Sequence, residues 1–569
     1  MQARSFLTAL AAAVLSLVLV TTGLLWGLER RSPLHLVDQP LQLPRAARFV
    51  PRDAALSLHW LADSARLPAY AQAVAPSRQC RAARDGMRQW RDGAFALAGL
   101  DFDAELAGWV GPELSLTLLD ASDTPGWVLA MTSKDSDGAR RFLQRFWQTR
   151  SLAGTDLQIS SYRGMGLISG RGALLGRQPQ PLATALIDDD LLLLASGRGV
   201  LERVLDVSQL QQQHQLGDDK LQRQVAALGH GAAVLTASPQ ALRQWFDLPD
   251  GLAGLDGLVA AGQSEAADLV VEGRLRFRDP SPAADWPRGT DLVAGAGGKA
   301  GLMAQLHNPS RLLDPAEPHP LAQWLGPLLK AHLGQDPTSL TLAGLDDGPL
   351  LWQQQSDGWL LATAPHHPVL DVVDDQLKAQ GLARSELSGD GERTQVWTRL
   401  TRQRGRQAGV EAQLAVARAT AADADWWGET LPALAARRDG HALEPRLQQW
   451  RWLTGGQQTP TQSLMLASQP AQKLLAQWQP WNLMQAMAGQ ALLPRIQGLS
   501  LGLDADRQDD GSTVLPLHAR LEAWLISSCC GMASPKTGLG AVIIRSGPSP
   551  FWGGSAPGRW WRRWWPEAS

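Results

Sequence analysis

The chain has 569 residues, a formal net charge of −2 and 3 cysteines. The near-neutral charge provides no global field for phosphate backbones, so nucleic acid is not expected as a partner. Three cysteines are too few for a disulfide framework, and the length indicates two domains or more.

The first element is an uncharged, mostly apolar stretch at residues 6–28, which three charged residues follow. About 20 such residues at 1.5 Å each match the roughly 30 Å hydrocarbon core of a bilayer. The alternative is a cleaved signal peptide, but its apolar region would span about 7–15 residues and end in an Ala-x-Ala site, which is missing here. We predict an uncleaved transmembrane anchor within residues 1–31 that contacts membrane lipid through residues 6–28.

The side of the membrane is less clearly encoded. Arg4 precedes the anchor and several arginines follow it, which by the positive-inside rule favours a cytoplasmic body. A short tail before an Ala/Leu-rich first segment favours export instead, because long following domains translocate largely regardless of charge. We expect the body to be on the exported side.

Residues 32–48 contain three prolines and show no helical period, which predicts an extended tether. From Phe49 onward, strand-like alternation and helical spacing follow each other. Strands are predicted at residues 55–60, 114–119, 126–132, 182–187 and 191–195, helices at residues 67–74 and 139–150 and around Val200 to Leu205, and turns at residues 120–125 and at Asp188, Asp189 and Asp190.

Three short sequence pairs indicate an internal duplication. The segments around Trp127 and Trp359, around Trp245 and Trp478, and around Arg66 and Arg311 resemble each other at separations of 232, 233 and 245 positions. The predicted fold is therefore α+β, with two related units of antiparallel hairpins and amphipathic helices behind a single N-terminal transmembrane helix. The units are placed at residues 49–285 and 286–526.

The remaining segment, residues 527–569, is rich in Gly, Pro and Ser and ends in a run of Trp and Arg. This composition predicts a disordered tail. Binding of the indoles and guanidiniums to an anionic membrane interface is the alternative.

Several of these segments resemble a known family. The stretches at residues 32–34 and 46–54, at residues 64–67, Gly126-Trp127 and the hairpin at Asp188 are similar to the cyanobacterial family called domain of unknown function 3352. The resemblance implies a cyanobacterial, membrane-anchored protein. With the exported side expected above, the body would lie in the periplasm or the thylakoid lumen. The family has no established activity, so the resemblance implies no functional residues.

One glycine-rich segment, residues 295–300, formally fits a dinucleotide-binding loop. The residues after it, 302–307, have the pattern of a strand, whereas that loop must open a helix. A phosphate-binding P-loop also fails, because Ala300 stands where Ser or Thr would bind magnesium. A hairpin turn is the favoured interpretation.

No metal-ligand spacing is evident. His366 and His367 lie between two prolines and are interpreted as solvated loop residues. Asp346, Asp347 and Gly348, like the aspartates at 188–190, are interpreted as turns because they lack the alternating spacing of a calcium loop.

Nucleophilic catalysis has no sequence support. The nearest approach to a G-x-S-x-G elbow is residues 166–170, and Cys80 is a lone thiol among arginines with no histidine placed beside it. We predict no catalytic, cofactor-binding or metal-binding residues and no cofactor.

Three functional hypotheses remain. The first is a non-enzymatic binding or assembly factor of the cell envelope or thylakoid whose partner is a membrane protein or a hydrophobic ligand. The second is an envelope hydrolase whose site is assembled from dispersed residues, which a deep pocket with a histidine beside Ser or Cys would favour. The third is a purely structural scaffold.

Overall fold

The computed structural model describes residues 36 and 40–523, except residues 76, 98, 121–125, 153–155, 173–179, 247, 249–251, 253, 266–267, 279–285, 287–290, 334–335, 390–391, 403–409, 456–459, 479–480, 483, 486–488, 490–494, 505 and 508–512. The predicted anchor at residues 6–28, the turn at residues 121–125 and the tail at residues 527–569 lie outside the described residues. Within these limits, no helix combines the length and the apolar composition needed to cross a membrane.

The described residues form an α+β fold built on one large antiparallel sheet. The strands of the first half are β1 (Leu56–Trp60), β2 (Val110–Leu118), β3 (Trp127–Ser133), β4 (Gln158–Tyr162), β5 (Met165–Gly172), β6 (Gln180–Ile187), β7 (Leu191–Ala195), β8 (Ala233–Ala237), β9 (Leu255–Glu265) and β10 (Asp268–Phe277). Those of the second half are β11 (Leu302–His307), β12 (Pro349–Gln355), β13 (Gly358–Thr363), β14 (Leu382–Gly389), β15 (Glu392–Arg402), β16 (Val410–Thr420), β17 (Asp425–Gly428), β18 (Gln462–Ala467), β19 (Ile496–Leu503), β20 (Asp506–Arg507) and β21 (Thr513–Ala523).

The strand order is the same in both halves of the sheet. In the first half, neighbouring strands follow the order 4-5-6-7-3-2-1-8-9-10. In the second half the order is 14-15-16-17-13-12-11-18-19-21, and β20 pairs only with the start of β21. The halves meet where β10 pairs with β21. Whether the units are bounded at residues 285 and 286 stays a prediction.

Helices connect corresponding strands in both halves. The first half contains α1 (Leu67–Val74), α2 (Cys80–Leu97), α3 (Ser136–Leu152), α4 (Arg198–Val207), α5 (Asp219–Ala226) and α6 (Pro239–Phe246). The second half contains α7 (Pro309–Leu313), α8 (Pro320–Leu333), α9 (Pro337–Leu345), α10 (Leu370–Ala379), α11 (Leu431–Ala436), α12 (Glu444–Thr454) and α13 (Ser468–Gln477).

The hairpin between β6 and β7 shows how the sequence determines local structure. The Asp190 N–H donates to the carbonyl of Ile187, and Asp188 and Asp189 have φ angles of 48° and 61°. A tight hairpin turn needs positive φ at both central residues, and Asp tolerates that region better than most side chains. The turn predicted at these aspartates is confirmed.

The predicted α3 is also confirmed and extends beyond residues 139–150 at both ends. Its apolar side chains Phe142, Phe146 and Trp147 are buried on one face, as helical spacing requires. Phe142 packs on Trp109, and the Trp147 indole N–H donates to Thr184 Oγ1 at 2.8 Å. The helix thereby closes one face of the first half.

The folded body begins earlier than predicted. Leu41 is 1% exposed, and its N–H donates to the carbonyl of Gly229 at 2.9 Å. A 3-10 turn at Arg45–Phe49 then packs its Ala47 against the sheet. The prolines of this segment stiffen it, but its leucine and alanine side chains are buried, so residues 41–48 belong to the body.

Each half helps to cover the core of the other. The largest apolar cluster combines Leu258 and Leu275 of β9 and β10 with Leu321 and Leu329 of α8 and Leu515 of β21. A second cluster, formed by β18, β19, β21 and α13, is joined by Trp90 of α2. Burial of apolar surface across the junction therefore holds the two halves together.

Candidate functional site

The junction of the two halves is an antiparallel ladder. β10 and β21 are in register over eight residue pairs, from Leu269 opposite Leu521 to Arg276 opposite Val514. Successive side chains of a strand point to opposite faces. On one face the ladder is apolar, and on the other it carries charged groups.

The charged face, which we call the junction strip, consists of Asp268, Glu272, Arg274, His518 and Arg520. His518 Nδ1 is hydrogen-bonded to Glu272 Oε2, and Arg520 Nη2 lies 2.6 Å from Asp268 Oδ2. The hydrogen bond to Glu272 raises the pKa of His518, and Arg274 opposes that shift. Arg274 forms no ion pair with the described part of the chain.

Two helices border the junction strip. On the side of α5, Arg276 donates to Gln224 Oε1 at 3.1 Å. On the side of α12, the Arg520 guanidinium lies 5.4 Å from the ring centre of Trp452. Glycine permits the close approach of α12, since a Cβ at Gly498 would overlap Gln449.

The junction strip remains accessible to solvent. The side chains of Glu272 and His518 are 28% and 36% exposed, and that of Arg520 is 25% exposed. A partly exposed row of paired charges with an unpaired guanidinium can recognise polar or acidic groups on a partner.

A second polar group lies in the interior of the first half. Ser57 and His59 of β1 are joined there by Ser115, Thr236 and Gln215. Ser57 Oγ lies 3.3 Å from His59 Nε2 and 2.6 Å from Thr236 Oγ1, and His59 Nδ1 lies 2.8 Å from Ser115 Oγ. Gln215 donates to Thr236 Oγ1 at 3.0 Å.

This network includes the serine and histidine pair that the hydrolase hypothesis requires, but the pair is sealed. Ser57 and His59 are both 0% exposed. Burial lowers the pKa of His59 to about 4, so its imidazole is neutral at pH 7. A hydroxyl, Ser115, takes the place of the carboxylate that orients the base in a catalytic triad. The arrangement stabilises the core and gives a substrate no access.

The second half also has a buried polar group at its first strand, β11. His307 Nδ1 lies 2.5 Å from the carbonyl oxygen of Thr461, and the Gln462 amide bonds both backbone groups of His307. The Trp286 indole N–H donates to the same His307 carbonyl at 3.0 Å. Polar groups buried this way favour one strand register, because any slip would leave them unpaired.

A cleft of about 600 Å³ lies between α10 and the hairpin of β14 and β15. Its lining includes Asp374, Lys378, Arg384 and Glu386. Asp374 accepts a hydrogen bond from the Trp397 indole at 2.9 Å and lies 2.7 Å from Lys378 Nζ. Such a charged lining does not suit a hydrophobic ligand.

The glycine-rich segment at residues 295–300 opens no helix. A 3-10 turn at Val293–Gly295 leads into irregular backbone, and β11 follows. The Gly298 N–H donates to the carbonyl of Asp439 at 2.8 Å. A dinucleotide site, which needs a helix N-terminus at this point, is not formed.

The histidine and aspartate clusters lie in loops and turns. The His366 N–H donates to Asp425 Oδ2 at 3.1 Å, and the Gly348 N–H donates to Asp346 Oδ1 at 3.0 Å. Burial raises the pKa of Asp346 to about 6. In the described part of the chain, no three His, Cys, Asp or Glu residues are grouped as metal ligands.

Cys80 lies in the first turn of α2, where its thiol donates to the carbonyl of Ala75 at 3.7 Å. Sequence analysis missed this 18-residue helix, although Ala83, Met87 and Trp90 have helical spacing. It also missed the junction strip, whose two strands are separated by more than 230 residues. No sequence signal pairs strands that distant.

The fold and these sites define a large antiparallel α+β protein with a charged junction between two similarly ordered halves. The chain belongs to the family described as protein of unknown function DUF3352, whose model matches residues 9–514. None of the curated proteins matches it.

Similarity to solved structures is weak. Crystal form I of TP0453 matches with a TM-score of 0.26 and 9% identity, covering 44% of this chain and 81% of that chain. Crystal form III matches with a TM-score of 0.24 and 8% identity, covering 43% and 81%. At these values the similarity carries no argument about function.

Proposed function

We propose that this protein is a single-pass, membrane-anchored binding or assembly factor of the cell envelope or thylakoid, with its body in the periplasm or thylakoid lumen. The anchor is the apolar segment at residues 6–28. The two halves are related units, since they share one strand order. In this account the protein is not an enzyme and needs no cofactor.

The observation that carries the proposal is the junction strip. Its charges are partly exposed and lie between α5 and α12, where a partner would contact both halves at once. Arg274 supplies a cation that no described residue neutralises. A membrane protein with an acidic surface segment satisfies these charges better than a hydrophobic ligand does.

Co-purification from detergent-solubilised membranes tests the proposal. Arg274→Glu is expected to lose a partner that the wild-type protein retains, because the substitution reverses the unpaired charge. Lys330→Glu on α8 is the matched control and is expected to retain it. Equal recovery of the partner with both variants would contradict docking at the junction strip.

The hydrolase alternative is favoured by one observation, the 3.3 Å contact between Ser57 and His59. A fluorophosphonate probe distinguishes the two accounts, because it modifies activated serines. The binding account predicts no modification at Ser57. Modification that Ser57→Ala abolishes would establish the hydrolase instead.

The topological assignment is tested by protease accessibility. External protease is expected to digest the body in spheroplasts or in right-side-out vesicles of the cytoplasmic membrane. The body lies in the cytoplasm if two results are obtained together. It would be protected in right-side-out vesicles of the cytoplasmic membrane and in inside-out thylakoid vesicles, and it would be digested in vesicles of the opposite orientation.

A further inference from the structure

The hairpin of α1 and α2 has an exposed tip, at Ser77, Arg78, Arg81 and Ala82. The two helices pack on each other through Ala71 and Ala83, beside Met87. Further along α2, Trp90 contacts the core of the second half and Phe95 that of the first. The C-terminal part of α2 is therefore fixed to the body, whereas its first turns contact α1.

The tip is strongly basic. Arg78, Arg81 and Arg84 are all exposed, and none forms an ion pair within the part of the chain that the structure describes. Arg81 and Arg84 lie on adjoining turns of one side of α2, and Arg78 lies in the turn just before the helix, so the three exposed guanidiniums are close together along the chain at this tip. The next arginine, Arg88, is instead paired with Asp103.

The hairpin lies near the strand ends at which the chain enters the body. Pro40 forms a bridge with His230, just before β8. The Tyr70 hydroxyl of α1 donates to the carbonyl of Ser264 at 3.3 Å, near the end of β9 that lies beside the start of β8. Eleven residues separate residue 28 from Pro40, which span at most about 40 Å.

The corresponding helix of the second half provides an internal comparison. α8 also lies between the first two strands of its half and carries one lysine, Lys330, and no arginine. The chain as a whole has a net charge of −2. The arginines are thus a local feature of the half that follows the membrane anchor.

We infer that Arg78, Arg81 and Arg84 bind the anionic phospholipid headgroups of the membrane that holds the anchor. Basic side chains near such a surface are attracted to it, and the attraction falls off within a Debye length. The short connection keeps the tip within reach of the bilayer. The contact orients the body on the membrane and rests on the anchor proposed above.

Energy transfer from the hairpin to labelled lipid tests this inference. The full chain carries Ala82→Cys as its labelling site, with Cys80, Cys529 and Cys530 replaced by serine. It is reconstituted in vesicles of phosphatidylcholine alone or with 30% phosphatidylglycerol, both containing an acceptor lipid. A second protein, labelled through Lys330→Cys on α8, is the matched control.

Transfer from position 82 is expected to rise in the anionic vesicles and to fall again in 0.5 M salt. Each arginine is expected to strengthen binding to anionic lipid about fivefold. Replacing the three arginines by glutamine should therefore weaken the part of the binding that depends on anionic lipid on the order of 100-fold. Transfer from position 330 should change less with the lipid than transfer from position 82. Carbonate extraction of the same vesicles separates the two proposals: a protein that is extracted refutes the anchor, whereas an integrated protein with equal transfer in both lipids refutes headgroup binding.

Discussion

His59 allows a quantitative test of the structure. Its imidazole is fully buried, and its hydrogen bonds go to uncharged groups, Ser57, Ser115 and Gln215. Burial lowers its pKa from 6.5 to about 4. The unfolded chain therefore binds a proton at this residue at a higher pH than the folded chain does.

The sign and size of the effect follow by linkage. Between pH 6.5 and about 4 the unfolded state is protonated at His59 and the folded state is not, so stability falls as the pH falls. At roughly 1.4 kcal/mol per pKa unit, the loss is about 3 kcal/mol by pH 4. His59→Gln keeps a polar, hydrogen-bonding side chain and removes the titration.

Urea unfolding followed by tryptophan fluorescence at pH 7, 6, 5 and 4 measures the effect. The stability of wild type minus that of His59→Gln should fall by about 3 kcal/mol over this range. The matched control, His441→Gln, alters an exposed histidine. The stability of wild type minus that of His441→Gln should stay the same over this range. A constant difference between wild type and His59→Gln would refute the burial of an uncharged imidazole.

Three further predictions concern Asp346, the junction and the anchor. Burial raises the pKa of Asp346 from 3.8 to about 6, so the free-energy cost of keeping its ionised carboxylate buried grows as the pH rises. In urea unfolding, Asp346→Asn should therefore gain up to about 3 kcal/mol of stability over wild type between pH 4 and 7. A gain that shrinks as the pH rises would contradict this. The pair with Glu272 raises the pKa of His518, so the stabilisation that the pair provides is lost as the pH rises through that pKa. Glu272→Gln should lower the pKa of His518 in an NMR titration. An unchanged titration would show that the pair does not form. In the double variant Leu17→Arg, Val18→Arg, each arginine at the centre of a membrane helix raises the free energy of membrane insertion by about 2.5–3.5 kcal/mol. Carbonate should therefore extract the variant from the membrane. Full retention in the membrane would argue against the anchor.

Much of the first half could be predicted because its signals are local. The helix at Leu67–Val74 matches its predicted range, and so does the strand at Leu302–His307 in the second half. The hairpin at Asp188 follows from turn chemistry, and α3 from the spacing of its aromatic residues.

The site and the sheet depended on long-range contacts. The pairing of Glu272 with His518 joins strands near the ends of the two halves, and no periodicity connects them. α2 was missed because its arginines obscure the apolar spacing of Ala83 and Trp90. Tertiary contacts with the second half, rather than local preference, stabilise that helix.

The buried polar groups were also beyond sequence reasoning. His59 follows Ser57 by two positions, which on a strand places both on one face. The sequence does not reveal that Gln215 closes this face from more than 150 residues away. The pair therefore could not be assigned to the core before the fold was known.

Photocrosslinking in intact membranes tests the proposed binding function most directly. The full chain carries p-benzoylphenylalanine at position 274, on the junction strip, or at position 330 on α8 as the control. The account predicts a discrete adduct with a membrane protein from position 274 and none from position 330. Irradiation that gives no adduct from position 274, or the same adducts from both positions, would contradict partner binding at the junction of the two halves.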